Sequence, residues 1–195
     1  ADGQSLNYDK LILATGAVPR ILPQVVGLEN VHVLRSPDDA AAVRRAMQTA
    51  NTAVVIGGGY IGLEAAASFR KAGLTVHVVE AAERLLARVA SPDMSAFFQE
   101  LHQRQGVMIH TGMNKTKFHQ KDVKFTGITL DTGEQISAEL LVVGIGVVPE
   151  SVLADAIGAE TGNGILVDRQ MRTTIEDVYA IGDVALVDGA VLRVE

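Results

Sequence analysis

The chain has 195 residues, 48% hydrophobic and 21% charged, enough to bury one good core, or one complete domain plus pieces of another. A formal net charge of -6 argues against nucleic acid, which needs clustered Lys and Arg, and no run approaches the ~20 apolar residues that span a bilayer. With 0 cysteines there is no disulfide or thiolate site, and the 5 histidines (His32, His77, His102, His110, His119) lack ligand-like spacing, so no metal site is expected.

Ala1 to Ser5 carry neither a basic start nor an apolar stretch, and read as the interior of a longer, cytoplasmic chain rather than a leader. Tyr8 to Thr15 is an apolar run closed by Gly16 and Pro19, which suits a buried strand entering a loop. After a linker with Pro19, Pro23 and Gly27, Ser36-Pro37-Asp38-Asp39 supplies an N-cap, a first-position proline and first-turn acids for a helix to about Ala50. From Thr52 the pattern is β-α-β: a β-branched strand to Ile56, a helix from Tyr60 to Ala72 stopped by Gly73, and a strand from Leu74 to Glu80. Ser91-Pro92-Asp93 then starts a helix to Gln105, and Val107 to His110 makes a third strand of a right-handed parallel sheet. Short alternating runs at Lys115 to His119, Val123 to Leu130 and Glu134 to Ser137 predict an antiparallel meander. Leu140 to Ile145 returns as a fully apolar central strand ending in Gly144-Ile145-Gly146, and Val178 to Ile181 is a last strand ending in Gly182-Asp183. The expected fold is α/β: a Rossmann-like parallel sheet interrupted by the meander.

The turn after Ile56 reads Gly57-Gly58-Gly59-Tyr60-Ile61-Gly62, so Gly57, Gly59 and Gly62 fill G-x-G-x-x-G. The first permits the tight turn, the second a close approach of backbone to a pyrophosphate, and the third close packing of helix on strand. The helix N-terminus offers unpaired N–H groups to the phosphates. A strand before, a helix after and Glu80 closing the next strand, 18 residues beyond Gly62, turn a weak motif into a specific one. The Glu80 carboxylate suits ribose hydroxyls and repels a 2′-phosphate, and Ala81 and Ala82 supply no compensating cation, so NADH is favoured over NADPH. Arg84 and Arg88 lie just beyond; either could touch the nucleotide or simply be solvated.

Ala14-Thr15-Gly16, and Thr173 followed 10 residues later by Asp183, complete a pattern with GGGYIGLE. Together they resemble the FAD-dependent pyridine nucleotide-disulfide oxidoreductases. Leu85 to Val107 is similar to the NADH-dependent branch of ferredoxin, rubredoxin and putidaredoxin reductases. The resemblance implies partial FAD-domain segments at residues 1–37 and 149–195 around an NAD(H)-binding domain at 38–148. By the same resemblance Gly57, Gly59, Tyr60, Ile61, Gly62, Glu80, Arg88, Gly144 and Gly146 would bind NAD. Thr15, Gly16, Arg20 and Asp183 would belong to FAD in the full-length parent. Tyr60 would line the nicotinamide pocket, and Glu64 would pair with a lysine near flavin N5. Glu150 stands where the family usually has Asn.

The implied reaction passes hydride from NADH to FAD and electrons on to an iron–sulfur ferredoxin or rubredoxin, with the isolated chain inactive for want of the first FAD fingerprint. Alternatives are another FAD oxidoreductase (nitrite reductase subunit, NADH oxidase or disulfide reductase) and a non-enzymatic NADH-binding module of apoptosis-inducing-factor type. The strands Leu11 to Ala14 and Val178 to Ile181 are of a buried type, and are expected to pair with each other or with a second copy in a homodimer.

Overall fold

A computed structural model describes residues 3–188 and 190–191, and the chain divides into two compact units: residues up to 18 with those from 147 onward, and residues 19–146.

The central unit is built on a parallel sheet of 5 strands in the order Val31–His32, Leu140–Val143, Thr52–Ile56, Thr75–Val79 and Val107–His110. Alternation sorts its side chains into two cores. Ala53, Val55, Val76, Val78, Leu140 and Val142 face one way, against Val43, Leu63, Ala66 and Phe69. Val54, Val79, Leu141 and Val143 face the other, against Phe125, Ile128 and Ile136. The first core is roofed by helices α1 (Pro37–Met47), α2 (Tyr60–Lys71) and α3 (Pro92–Arg104). The second is roofed by the antiparallel meander Lys117–Lys121, Lys124–Thr129 and Gln135–Ser137. Burial on both faces is why Leu140–Val143 reads as an unbroken apolar run; each such Val or Leu contributes roughly 1.5–3 kcal/mol.

The expected boundary at residue 37 falls elsewhere in the compact units, because residues 19–37 join the central one. Val31–His32 pairs with Leu141–Val142, and the Asn30 side chain binds the Phe125 and Glu139 carbonyls and the Phe125 N–H. A two-residue strand is too short to leave a periodic trace in sequence.

In the flanking unit, Leu11–Leu13 pairs in parallel with Val178–Ala180. The two strands thus find each other within one chain. Strands Thr161–Gly162, Gly164–Val167, Ala185–Val187 and Ala190–Val191 form a second sheet. Helix α4 (Val152–Ala156) contributes Ala154 to the shared core of Leu13, Ile165, Val178 and Val184.

Candidate functional site, a dinucleotide cradle

Helices α1 and α3 are closed at their N-termini by serine. Ser36 forms a capping box with Asp39, and the Ser91 hydroxyl accepts from the Met94 N–H. Helix α2 begins instead on Gly59, with no side-chain cap, so its first-turn donors and the positive end of its dipole face outward from the glycine turn. The glycines that permit this are irreplaceable for different reasons. Gly57 has φ +107°, and a Cβ there would sit 2.2 Å from the Gly144 carbonyl oxygen. A Cβ on Gly62 would sit 2.0 Å from the Gly57 oxygen, so the helix could not approach the strand. At Gly59 nothing lies within 4 Å of the Cβ position, leaving room for a group to press on the backbone.

This turn opens on a cavity of about 470 Å³, within the range of small-molecule and cofactor sites. Gly57, Gly59, Tyr60, Glu80, Arg88 and Gly144 all line it. Gly62 is buried behind the turn, Ile61 is exposed on α2, and Gly146 (φ +97°) lies beside the Arg88 guanidinium. Glu64 is exposed one turn along α2 from Tyr60 and is not part of the wall.

Glu80 is tied into the loop on both oxygens. Its Oε2 accepts from the Gly58 N–H at 2.6 Å and its Oε1 from the Ala82 N–H at 2.7 Å. An ionised carboxylate offers about four lone-pair directions, so each oxygen retains one for a ligand hydroxyl.

The two arginines beyond it separate. Arg84 is spent internally: Nη1 donates to the Ala90 carbonyl at 2.8 Å and to Ser95 Oγ at 2.6 Å, and Nη2 donates to the Ala87 carbonyl at 2.9 Å. The buried Ser95 hydroxyl in turn donates to the Leu85 carbonyl, 2.6 Å away. Leu86 is held in the left-handed region at φ 52°, a conformation a branched residue keeps only where its surroundings impose it. Arg84 thus shapes the 84–90 loop, and Arg88 is the cation at the cavity.

The remaining wall went unread in sequence. It includes Leu22 and Gln24, and Met113, Asn114, Thr116 and Phe118 after the third strand. One signal could have found the second group: ligands of parallel sheets sit at the carboxyl ends of the strands, and residues 111–116 follow directly from His110. Within the adjacent strands His77 Nδ1 and His110 Nε2 lie 3.0 Å apart with stacked rings. Burial holds both imidazoles below the usual histidine range; on His77 the His110 ring adds to this, while Glu134 opposes it on each. Among the described residues no group of three or more His, Cys, Asp or Glu could hold a metal, and no helix is long and apolar enough to cross a membrane.

The other predicted residues lie in the flanking unit, except Arg20, which falls in the central unit and donates its backbone N–H to the Gly146 carbonyl at 2.9 Å. Thr15, Gly16 and Asp183 follow the carboxyl ends of the two paired strands. The Thr15 hydroxyl donates to the Glu150 carbonyl at 2.5 Å and the Glu150 N–H donates to the Gly16 carbonyl at 2.9 Å, so residue 150 enters this turn through backbone groups that any residue except proline supplies. Thr173 closes the turn before Val178–Ala180, its hydroxyl donating to the Val178 carbonyl at 2.9 Å.

Comparison with known proteins places the fold in a family. The chain is 41% identical over 191 residues to putidaredoxin reductase of Pseudomonas putida, covering 95% of this chain and 45% of that protein. It is 43% identical over 185 residues to rhodocoxin reductase of Rhodococcus erythropolis, covering 94% and 43%. The ferredoxin reductase for the CYP199A2 system from Rhodopseudomonas palustris superposes with a TM-score of 0.93 at 40% identity, over 100% of this chain and 50% of that one. The chain therefore spans about half the length of these relatives. Residues 1–194 match the pyridine nucleotide-disulphide oxidoreductase family, and the chain belongs to it.

Proposed function

We propose that residues 19–146 are the NADH-binding part of a flavoprotein reductase that passes electrons to an iron–sulfur ferredoxin or rubredoxin. The observation that carries this is the convergence of the glycine turn, Glu80 and Arg88 on one cavity. The uncapped start of α2 and Arg88 would hold the pyrophosphate, and Glu80 would accept from the adenosine ribose hydroxyls. Arg84 is bonded to internal oxygens, and among the described residues that line the cavity Arg88 is the one cation, which favours NADH. Tyr60, at the mouth of the turn, would border the nicotinamide, with Gly144 and Gly146 closing the opposite side.

Thr15, Gly16 and Asp183 would contribute to a flavin site, because loops at the carboxyl ends of adjacent parallel strands are where an α/β sheet takes its ligand. A bound flavin would supply the hydride acceptor and release electrons singly. The names of the relatives support the acceptor class: putidaredoxin reductase, rhodocoxin reductase and a rubredoxin-NAD(+) reductase.

The reading is tested by mixing the purified chain with NADH and ferricyanide. Binding of NADH without reduction of ferricyanide is expected, since the residues here hold a donor but carry no redox group of their own. Sustained reduction by the flavin-free chain would contradict the assignment of hydride acceptance to a bound flavin.

A further inference from the structure

Gly58 occupies the first variable position of G-x-G-x-x-G, where the motif demands no glycine. Its φ lies outside the left-handed region, so backbone conformation does not demand one either. Its peptide is nevertheless gripped on both sides: the N–H donates to Glu80 Oε2 at 2.6 Å, and the carbonyl accepts from the Leu86 N–H at 2.9 Å. A Cβ at this position would stand 2.5 Å from Leu85 Cδ2 and 3.2 Å from both Cβ and Oε2 of Glu80. Leu85 is 0% exposed, and its carbonyl is held by Ser95, so it has little space to retreat into. A side chain at Gly58 would push on the wall behind it and on the carboxylate that its own N–H orients.

We propose that Gly58 is a positioning residue for Glu80, fixing the carboxylate that tells an unmodified ribose from a 2′-phosphorylated one. This rests on the assignment of the cavity to NADH. Gly58 and Ala82 take one lone pair on each oxygen through backbone donors, so the remaining pairs have fixed directions before any nucleotide arrives. Such preorganisation removes the cost of ordering Glu80 on binding.

The test is the ratio of NADPH to NADH dissociation constants for the parent chain, Gly58→Ala and Gly58→Ala/Leu85→Val. Gly58→Ala should lower the ratio by about fivefold or more, and the shorter side chain at position 85 in the double variant should restore it to within about twofold of the parent. Loss of fold alone would weaken both nucleotides together and leave the ratio in place. A selective parent with an unchanged ratio in a folded Gly58→Ala overturns the positioning role. A parent ratio near one overturns the NADH reading and the role with it. Should the variant not fold, the parent's Gly58 amide proton decides. Bonded to a carboxylate, it should keep its downfield NMR position when NADH is added; an upfield move would mean that Glu80 releases Gly58 to reach the ribose, which also overturns the proposal.

Discussion

The two units carry strand-turn sites of the same type, yet differ in how much surrounding structure supports them. The glycine turn at 57–59 leaves the middle of a five-stranded sheet covered on both faces, and its cavity wall is drawn entirely from residues 22–145. The turns at Thr15–Gly16 and Gly182–Asp183 leave a two-stranded sheet, with Ile12 59% and Ile181 42% exposed. A parallel pair is normally buried on both faces. The first site is preformed by sheet, helix and loop together; the second has paired strands and closed turns but one open apolar side.

The largest effect that would break this comparison is at the first glycine. Gly57→Ala places a methyl 2.2 Å from a backbone oxygen at positive φ, so NADH affinity should fall by about 100-fold or more, with a lower melting temperature. Asp183→Asn in the flanking unit should leave NADH affinity unaltered; calorimetric titration of both variants checks the contrast. Next, Glu80→Gln removes a charged acceptor from Gly58, Ala82 and the ribose, costing about 1.5–3 kcal/mol and so roughly tenfold or more in NADH affinity.

The two arginines sharpen the division between scaffold and ligand contact. Arg84→Ala strips donors from two carbonyls and Ser95 and should lower stability by about 2 kcal/mol in urea unfolding. Arg88→Ala should weaken NADH binding, with a shallower salt dependence.

These contrasts track what the sequence could reveal. The turn was legible because three glycines at fixed spacing stand between a β-branched run and a helix stopped by Gly73, each element confirming its neighbour. The full burial of Leu140–Val143 was legible because a strand covered on both faces is apolar throughout. Arg84 and Arg88 were indistinguishable, since one's carbonyl partners exist only after the 84–90 loop turns through Leu86 at φ 52°. Gly58 was hidden likewise: its constraint is Leu85, which sequence distance does not place against it. Val31–His32 and the His77–His110 contact depend on strand register, which no local pattern carries.

The smallest expected effect concerns that histidine pair. Burial lowers the pKa of each imidazole in the folded chain, so below pH 6.5 the unfolded chain binds more protons and stability falls as pH drops. Above pH 6.5 this contribution is constant. Unfolding midpoints measured between pH 5 and 8 should decline only on the acidic side, and His110→Gln should flatten the decline.

Calorimetric titration of the chain with NADH and NADPH bears most directly on the claim that residues 19–146 hold a complete nucleotide site selective by Glu80. One NADH per chain, bound more tightly than NADPH, is the expected result. Absence of saturable NADH binding, or a preference for NADPH, would contradict it.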